Sequence, residues 1–169
     1  MIRAKLIEAT ADRIRREGGS TIPVDVRGLI TREALTILVS AEGMPPRMRA
    51  CYERERGRIR LRPGLPVEQE RFALAHELGH HVLDHGSIAC YDTALISDSA
   101  PLDEADVGVD FESEANQFAG VLLIPRAECR KDLEGGAKYP DIATKYVVSL
   151  SATGIAIDNY RFRLVKKRR

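Results

Sequence analysis

The chain has 169 residues, of which 44% are hydrophobic and 30% are charged, and its formal net charge is +1. This length and balance suit one globular domain, and the near-zero charge gives no global sign of a nucleic-acid or membrane-surface partner. No run approaches the roughly 18 apolar residues of a membrane span, and the amino-terminal segment is charged and amphipathic, so we expect a cytoplasmic protein with no membrane partner.

The amino-terminal third predicts two helices, a strand and a hairpin. Residues 2–17 form an amphipathic pattern that stops at two glycines, and residues 24–35 predict a second helix. Residues 36–40 are a short β-branched run, typical of a strand. Alternating residues at 49–53 and 58–62 predict a hairpin that joins this strand in a small twisted sheet.

The hairpin and the cysteines each carry a further prediction. Ile59 and Leu61 should face the core, and the arginines between them are expected on a solvated face rather than in a nucleic-acid patch. The three cysteines, at 51, 90 and 129, are widely spaced and odd in number, which favours reduced thiols over disulfides.

The segment from Arg71 to Leu83 predicts a buried helix that contains His-Glu-x-x-His. His76 and His80 are four residues apart, so their imidazoles converge on one face of that helix. Two neutral imidazoles at that spacing suit zinc, and Glu77 can reach a water at the metal. All four histidines of the chain are expected in this helix, with Gly86 ending it.

A buried helix with two hydrogen-bonded histidines is the alternative reading of the motif. Apolar residues flank the histidines on both sides, so Glu77 is expected to be buried as well. A buried carboxylate without compensation is costly, whereas a metal or a catalytic role compensates it. The context therefore favours a zinc site, and with it a metallopeptidase.

The third metal ligand is expected from a second core helix at residues 111–125. Glu112 and Glu114 both qualify. Glu112 shares a face with Asn116, which could orient an imidazole or the ligating carboxylate, so Glu112 is preferred. For Glu114 the ordinary expectation is a capping or surface ion-pair role.

The segments RFALAHELGHHVLDH and FESEANQFAGVLLIP closely resemble the ImmA/IrrE family of metallo-endopeptidases. The likeness is strong over about residues 58–126 and implies a zincin-like α+β fold with Zn²⁺ as cofactor. It also implies metal ligands His76, His80 and Glu112, with Glu77 as catalytic base. The resemblance further implies a specific protein substrate, typically a helix-turn-helix transcriptional repressor whose cleavage releases gene expression.

Two features of the chemistry stay open in the sequence. Tyr91 or His81 could stabilise the oxyanion, although a structural role is the ordinary expectation for each. Residues 86–125 contain no Lys or Arg, and an acidic cleft rim formed by them would attract a basic partner; a solubilising loop is the alternative.

The expected domain organisation is a zinc metallopeptidase domain at residues 1–134 and a helical extension at 135–169, packed on the same domain. The extension resembles a helix-turn-helix segment, but its second helix begins with few base-reading side chains, so direct nucleic-acid binding is not expected. A non-proteolytic DNA- or protein-binding regulator with a structural or vestigial metal site is the competing function. The intact Glu77 favours the peptidase, because a structural zinc needs no general base.

Overall fold

This computed structural model describes residues 3–85 and 106–167, which form helices and one small sheet. The helices are α1 (Ala4–Glu17), α2 (Val26–Arg32), α3 (Val67–Val82), α4 (Asp106–Leu123), α5 (Arg126–Glu134), α6 (Tyr139–Tyr146) and α7 (Leu150–Lys167). The strands are β1 (Thr36–Val39), β2 (Ala50–Glu53) and β3 (Arg58–Leu61). The predicted fold class, α+β with many helices and a small sheet, is confirmed. No helix in the described ranges is long and apolar enough to cross a bilayer.

The sheet has the order β1-β3-β2, with β3 in the centre. The predicted hairpin is confirmed: β2 runs antiparallel to β3, while β1 pairs with β3 in parallel. Ile59 and Leu61 are buried, as predicted, and the arginines of β3 point away from them toward Glu53. β2 lies at an edge of the sheet and packs against α3.

The second helix is shorter than the predicted span of residues 24–35. It begins at Val26 because the side chain of Asp25 accepts a hydrogen bond from the backbone N–H of Gly28, at 3.0 Å. It ends at Arg32, and Ala34 then has a positive φ of 57°, which turns the chain into β1.

The centre of the fold is the contact between α3 and α4. Leu74, Ala75 and Leu78 of α3 are buried, and so are the side chains of α4 that share one face: Ala115, Phe118, Ala119 and Leu122. α1 covers α4 from another side. This packing fixes the two helices that carry the predicted metal ligands.

The prediction that all four histidines lie in one helix is wrong for His85. α3 ends at Val82, and Asp84 adopts a left-handed conformation with φ 54°. The backbone N–H of His85 then bonds the carbonyl of His80 at 3.1 Å, so the chain folds back on the last turn. Gly86, the predicted end of the helix, lies outside the described residues, and so does most of the acidic stretch that follows it.

The carboxy-terminal helices contribute to the same core as α3 and α4. α6 and α7 meet at Val147, which has a positive φ of 51°. Ile142, Tyr146, Val148 and Ile157 belong to one continuous cluster of buried side chains with the residues of α3 and α4. The proposed boundary between residues 134 and 135 stays a prediction.

The expectation that all cysteines are reduced is wrong for Cys51, which is disulfide-bonded. Cys129 is free and buried on α5, in agreement with the expectation. Cys90 lies outside the described residues.

Candidate metal centre

Two imidazoles of α3 face one point. His76 and His80 are buried, with 3% and 7% of each residue exposed. Their Nε2 atoms lie 3.0 Å apart, which places both rings on one face of the helix. The structure thus brings together the two residues that the spacing singles out.

Glu112 of α4 completes a group of three. Its Oε2 lies 3.1 Å from His76 Nε2, and its Oε1 lies 3.2 Å from His80 Nε2. One donor atom of each residue falls within 4.8 Å of the other two, and among the described residues no other group of three His, Cys, Asp or Glu side chains could hold an ion.

The donor set fits a divalent cation. Glu112 Oε2 is buried and has no hydrogen bond of acceptable geometry, which is costly unless a cation compensates it. Burial acts to raise the pKa of Glu112, but the imidazoles of His76 and His80, when protonated, outweigh it and hold that pKa at about 2. Two imidazoles and one carboxylate are a donor set that zinc accepts in catalytic sites, where a fourth position stays open.

Asn116 lies beside the ligand group. Its Oδ1 is 3.0 Å from His76 Nδ1, so the amide oxygen can accept the proton of that nitrogen and leave Nε2 free to bind a metal. The expected neighbour of the site is therefore present, and its contact is with an imidazole rather than with the carboxylate.

Glu77 is held against the edge strand. The residue is 7% exposed, and its Oε2 accepts a hydrogen bond from the backbone N–H of Tyr52 at 2.8 Å. Burial raises the pKa of Glu77, against the opposing effect of His76 and His80. The hydrogen bond from β2 was not foreseeable from the motif, since it depends on how the sheet meets α3.

A small pocket of about 60 Å³ opens beside this carboxylate. Its walls come from the start of β2, from α3 and from α4: Arg49, Ala50, Phe72, Ala73, His76, Glu77 and Asn116. A pocket of this size has room for a small side chain and touches both the general-base candidate and one ligand candidate.

Glu114, the rival ligand candidate, lies away from the group of three. The ion pair expected for it is present, with Arg3, but Glu114 is buried, with 3% of the residue exposed, so the expected surface location is wrong. Its carboxylate binds the guanidinium of Arg3, at 2.7 Å, and Nε2 of His85, at 3.1 Å. Sequence reasoning missed Arg3 and His85 as neighbours of the site, because both contacts depend on tertiary packing.

His81, one candidate for oxyanion stabilisation, faces Tyr52 and Glu33. Its Nδ1 is 2.8 Å from the phenol oxygen of Tyr52, and its Nε2 is 3.9 Å from Glu33. The structure therefore gives His81 partners other than the ligand group. Tyr91, the other candidate, lies outside the described residues.

Comparisons with known proteins give the family and a similar fold. The family model Peptidase_M78, described as the IrrE N-terminal-like domain, matches residues 32–158. No curated protein is similar enough to count as a match. The chain is similar in fold to a solved structure described as a Mycobacterium tuberculosis transcriptional regulator, with a TM-score of 0.66 and 20% sequence identity. That similarity covers 87% of this chain and 44% of the other, so the chain spans less than half of that protein's length. The resemblance to the ImmA/IrrE family is confirmed, and the chain belongs to the IrrE N-terminal-like family of metallopeptidases.

Proposed function

We propose that the protein is a zinc-dependent endopeptidase. The observation that carries the proposal is the convergence of His76, His80 and Glu112 on one point. The Oε2 atom of Glu112 is buried there without a hydrogen bond. Glu77, on the same helix, supplies the proton-transfer group that a structural metal site does not need. Zinc, when bound there, supplies Lewis-acid activation of water and of the scissile carbonyl.

Glu77 is the residue that moves the proton. Its Oε2 is occupied by the N–H of Tyr52, so we assign the proton to Oε1. Burial raises the pKa of this carboxyl group, which makes Glu77 a stronger base toward the attacking water. The same oxygen then delivers the proton to the leaving amine.

Among the described strands β2 has an outer edge, which is a suitable place for an extended peptide. β2 is an outer strand of the sheet, and Ala50 lines the pocket next to Glu77. Peptides commonly bind by adding a strand to such an edge, with alternate side chains entering pockets. The small pocket favours a small side chain next to the scissile bond.

The family resemblance supports a regulatory protein as substrate. We propose a helix-turn-helix transcriptional repressor, cut once so that transcription is released. Incubation of the zinc-loaded protein with the repressor encoded next to its gene should give two defined fragments. Degradation of casein at a comparable rate would instead indicate a broad-specificity protease.

Glu77→Gln is the test of the catalytic assignment. The variant keeps the size and a hydrogen-bond acceptor for Tyr52, so it should fold and bind zinc as the wild type does. Cleavage of the repressor should fall at least about 100-fold, as expected for loss of a general base. Glu68→Gln, the same change in the first turn of α3, is the matched control and should cleave normally.

Release of the target gene by the same variants separates the two functions. If Glu77→Gln releases the gene as well as the wild type does, the protein acts as a non-proteolytic regulator with a structural or vestigial metal site. If only the wild type and Glu68→Gln release it, proteolysis is the mechanism.

A further inference from the structure

A chain of buried hydrogen bonds leads from His80 away from the metal centre. His80 Nδ1 lies 3.1 Å from Nδ1 of His85, and Nε2 of His85 lies 3.1 Å from Oε2 of Glu114. Glu114 also accepts four hydrogen bonds from Arg3: one from the backbone N–H at 3.1 Å, two from Nε at 3.2 Å and one from Nη2 at 2.7 Å. The side chain of His85 is fully buried, and its ring stacks on Phe111 at 4.6 Å.

The positions of the protons in this series of hydrogen bonds follow from the group at its end, the carboxylate of Glu114. An ionised carboxylate only accepts hydrogen bonds, so Glu114 requires a proton on Nε2 of His85. Nδ1 of a neutral His85 then carries only a lone pair. The 3.1 Å contact between the two Nδ1 atoms therefore places its proton on His80. His80 is left with a lone pair on Nε2, the atom that faces His76 and Glu112.

We propose that His85 is a positioning residue that holds His80 in its metal-binding tautomer, with Glu114 as its anchor. This inference rests on the proposed metal site and assigns a role to two residues outside the ligand set. Asn116 does the same for His76 by one direct contact, whereas His80 is held through an intervening imidazole. Such partners of ligating histidines fix ring orientation and typically change metal affinity by about 10–100-fold when removed.

His85→Phe and His85→Gln form the first test. Phenylalanine keeps an aromatic ring against Phe111 but offers no acceptor to His80, so zinc affinity should fall by about 10–100-fold. Glutamine offers an amide oxygen to His80 and an amide N–H to Glu114, so it should recover most of that loss. Affinity is measured by competition with a chromophoric chelator, and folding of each variant by circular dichroism. Equal zinc affinity of His85→Phe and the wild type would overturn the proposal.

Glu114→Gln tests the anchor. The amide of the glutamine can donate to Nε2 of His85. The proton of His85 can then move from Nε2 to Nδ1, where it faces Nδ1 of His80. We expect about a tenfold or greater loss of zinc affinity from this nearly isosteric change. Asp132→Asn, which alters a carboxylate bound to Tyr146 and Lys145 at the other side of the core, is the matched control and should bind zinc normally. A loss of the same size in both variants would show a general effect of stability and overturn the assignment to Glu114.

A direct readout is the tautomer itself. Long-range ¹H–¹⁵N correlation spectra of the zinc-loaded protein should show His85 protonated on Nε2 and His80 protonated on Nδ1. A proton on Nδ1 of His85 would overturn the proposal, whatever the activity. Because tautomer and affinity are measured without substrate, a wild type that binds zinc in this way but cuts no protein would refute the proposed peptidase function and leave this inference standing.

Discussion

Glu53 shows how a single carboxylate organises the outer face of the sheet. It lies opposite Arg58 in the register of β2 and β3, and its Oε2 accepts a hydrogen bond from Arg58 Nε at 2.5 Å. Arg56 and Arg60 also pair with it. Arg56, Arg58 and Arg60 are thus paired with one carboxylate of the same hairpin. The expected solvated face, as opposed to a nucleic-acid patch, stays a prediction.

This cluster predicts a pH-dependent contribution to stability. Burial acts to raise the pKa of Glu53, but the hydrogen bond from Arg58 and the charge of Arg60 outweigh it and hold the pKa below its ordinary value of 4.5. A carboxyl group with a depressed pKa stabilises the fold above that ordinary value, and the contribution is lost as the pH falls below it. Glu53→Gln should therefore lower the free energy of unfolding by on the order of 1 kcal/mol at pH 7 and by progressively less below about pH 4.5.

Urea unfolding of Glu53→Gln and the wild type at several pH values between 7 and 3 measures this difference. Glu55→Gln, on an exposed residue of the same turn, is the matched control and should equal the wild type throughout. A difference between Glu53→Gln and the wild type that stays constant over this range would mean that the charge of Glu53 is not responsible.

At the residue scale, the sequence predicts a site residue where its type suits a metal ligand and its spacing places it on the right face of a helix. His76 and His80 follow from the periodicity of a helix, and Glu112 follows from its relation to Asn116, although that amide contacts His76. The position of His85 could not be predicted, because it depends on the left-handed conformation of Asp84, which ends the helix before Gly86, the residue that most favours such an end.

At the scale of elements, Gly79 sets the distance between α3 and α4. A Cβ atom built on Gly79 would lie 3.0 Å from Cδ1 of Phe118 and 3.3 Å from Cα of Ala115. The second of these atoms is backbone and cannot move alone. The close approach of the two helices, which brings Glu112 to the histidines of α3, thus leaves room for a side chain at this position only if α4 shifts by a few tenths of an ångström.

Gly79→Ala should therefore loosen the metal site. Overpacking typically costs about 1–3 kcal/mol, whereas alanine in a helix gains about 0.5–1 kcal/mol over glycine, so we expect net destabilisation. Displacement of α4 should also weaken zinc binding. Thermal unfolding of the metal-free protein and a chelator competition assay measure the two effects.

Gly120→Ala is the matched control, because it makes the same change within α4 where a Cβ would meet nothing within 4 Å. It should stabilise the protein by about 0.5–1 kcal/mol and leave zinc affinity unchanged. If Gly79→Ala behaved like this control, the close helix contact would not depend on glycine.

The order of the elements was easier to predict than their limits. The hairpin of β2 and β3 and the helices around the metal site follow from hydrophobic period and turn residues. The ends of α2 and α3 differ from the expected ones because they are set by the cap of Asp25 and by positive φ at Ala34 and Asp84. The parallel pairing of β1 with β3 is a long-range choice that no local pattern encodes.

At the scale of the whole molecule, the carboxy-terminal helices are joined to the helix that carries the histidines. Arg71 of α3 donates from Nε to the carbonyl of Val147 at 3.1 Å, at the end of α6. Tyr146 is fully buried, and its phenol donates to Asp132 of α5 at 2.7 Å. These contacts predict that residues 135–169 unfold together with the rest of the chain.

Tyr146→Ala tests this cooperation. Removal of a buried aromatic side chain should cost about 3–5 kcal/mol, and Tyr146→Phe, which loses only the hydrogen bond to Asp132, about 1 kcal/mol. Ile155→Ala, on a residue of α7 that is 62% exposed, should stay within about 0.5 kcal/mol of the wild type. Urea unfolding followed by circular dichroism and by zinc affinity should give one coincident transition in every variant. If Tyr146→Ala produced a separate early transition with zinc binding retained, the carboxy-terminal helices would be an independent extension, because the metal site would then fold without them.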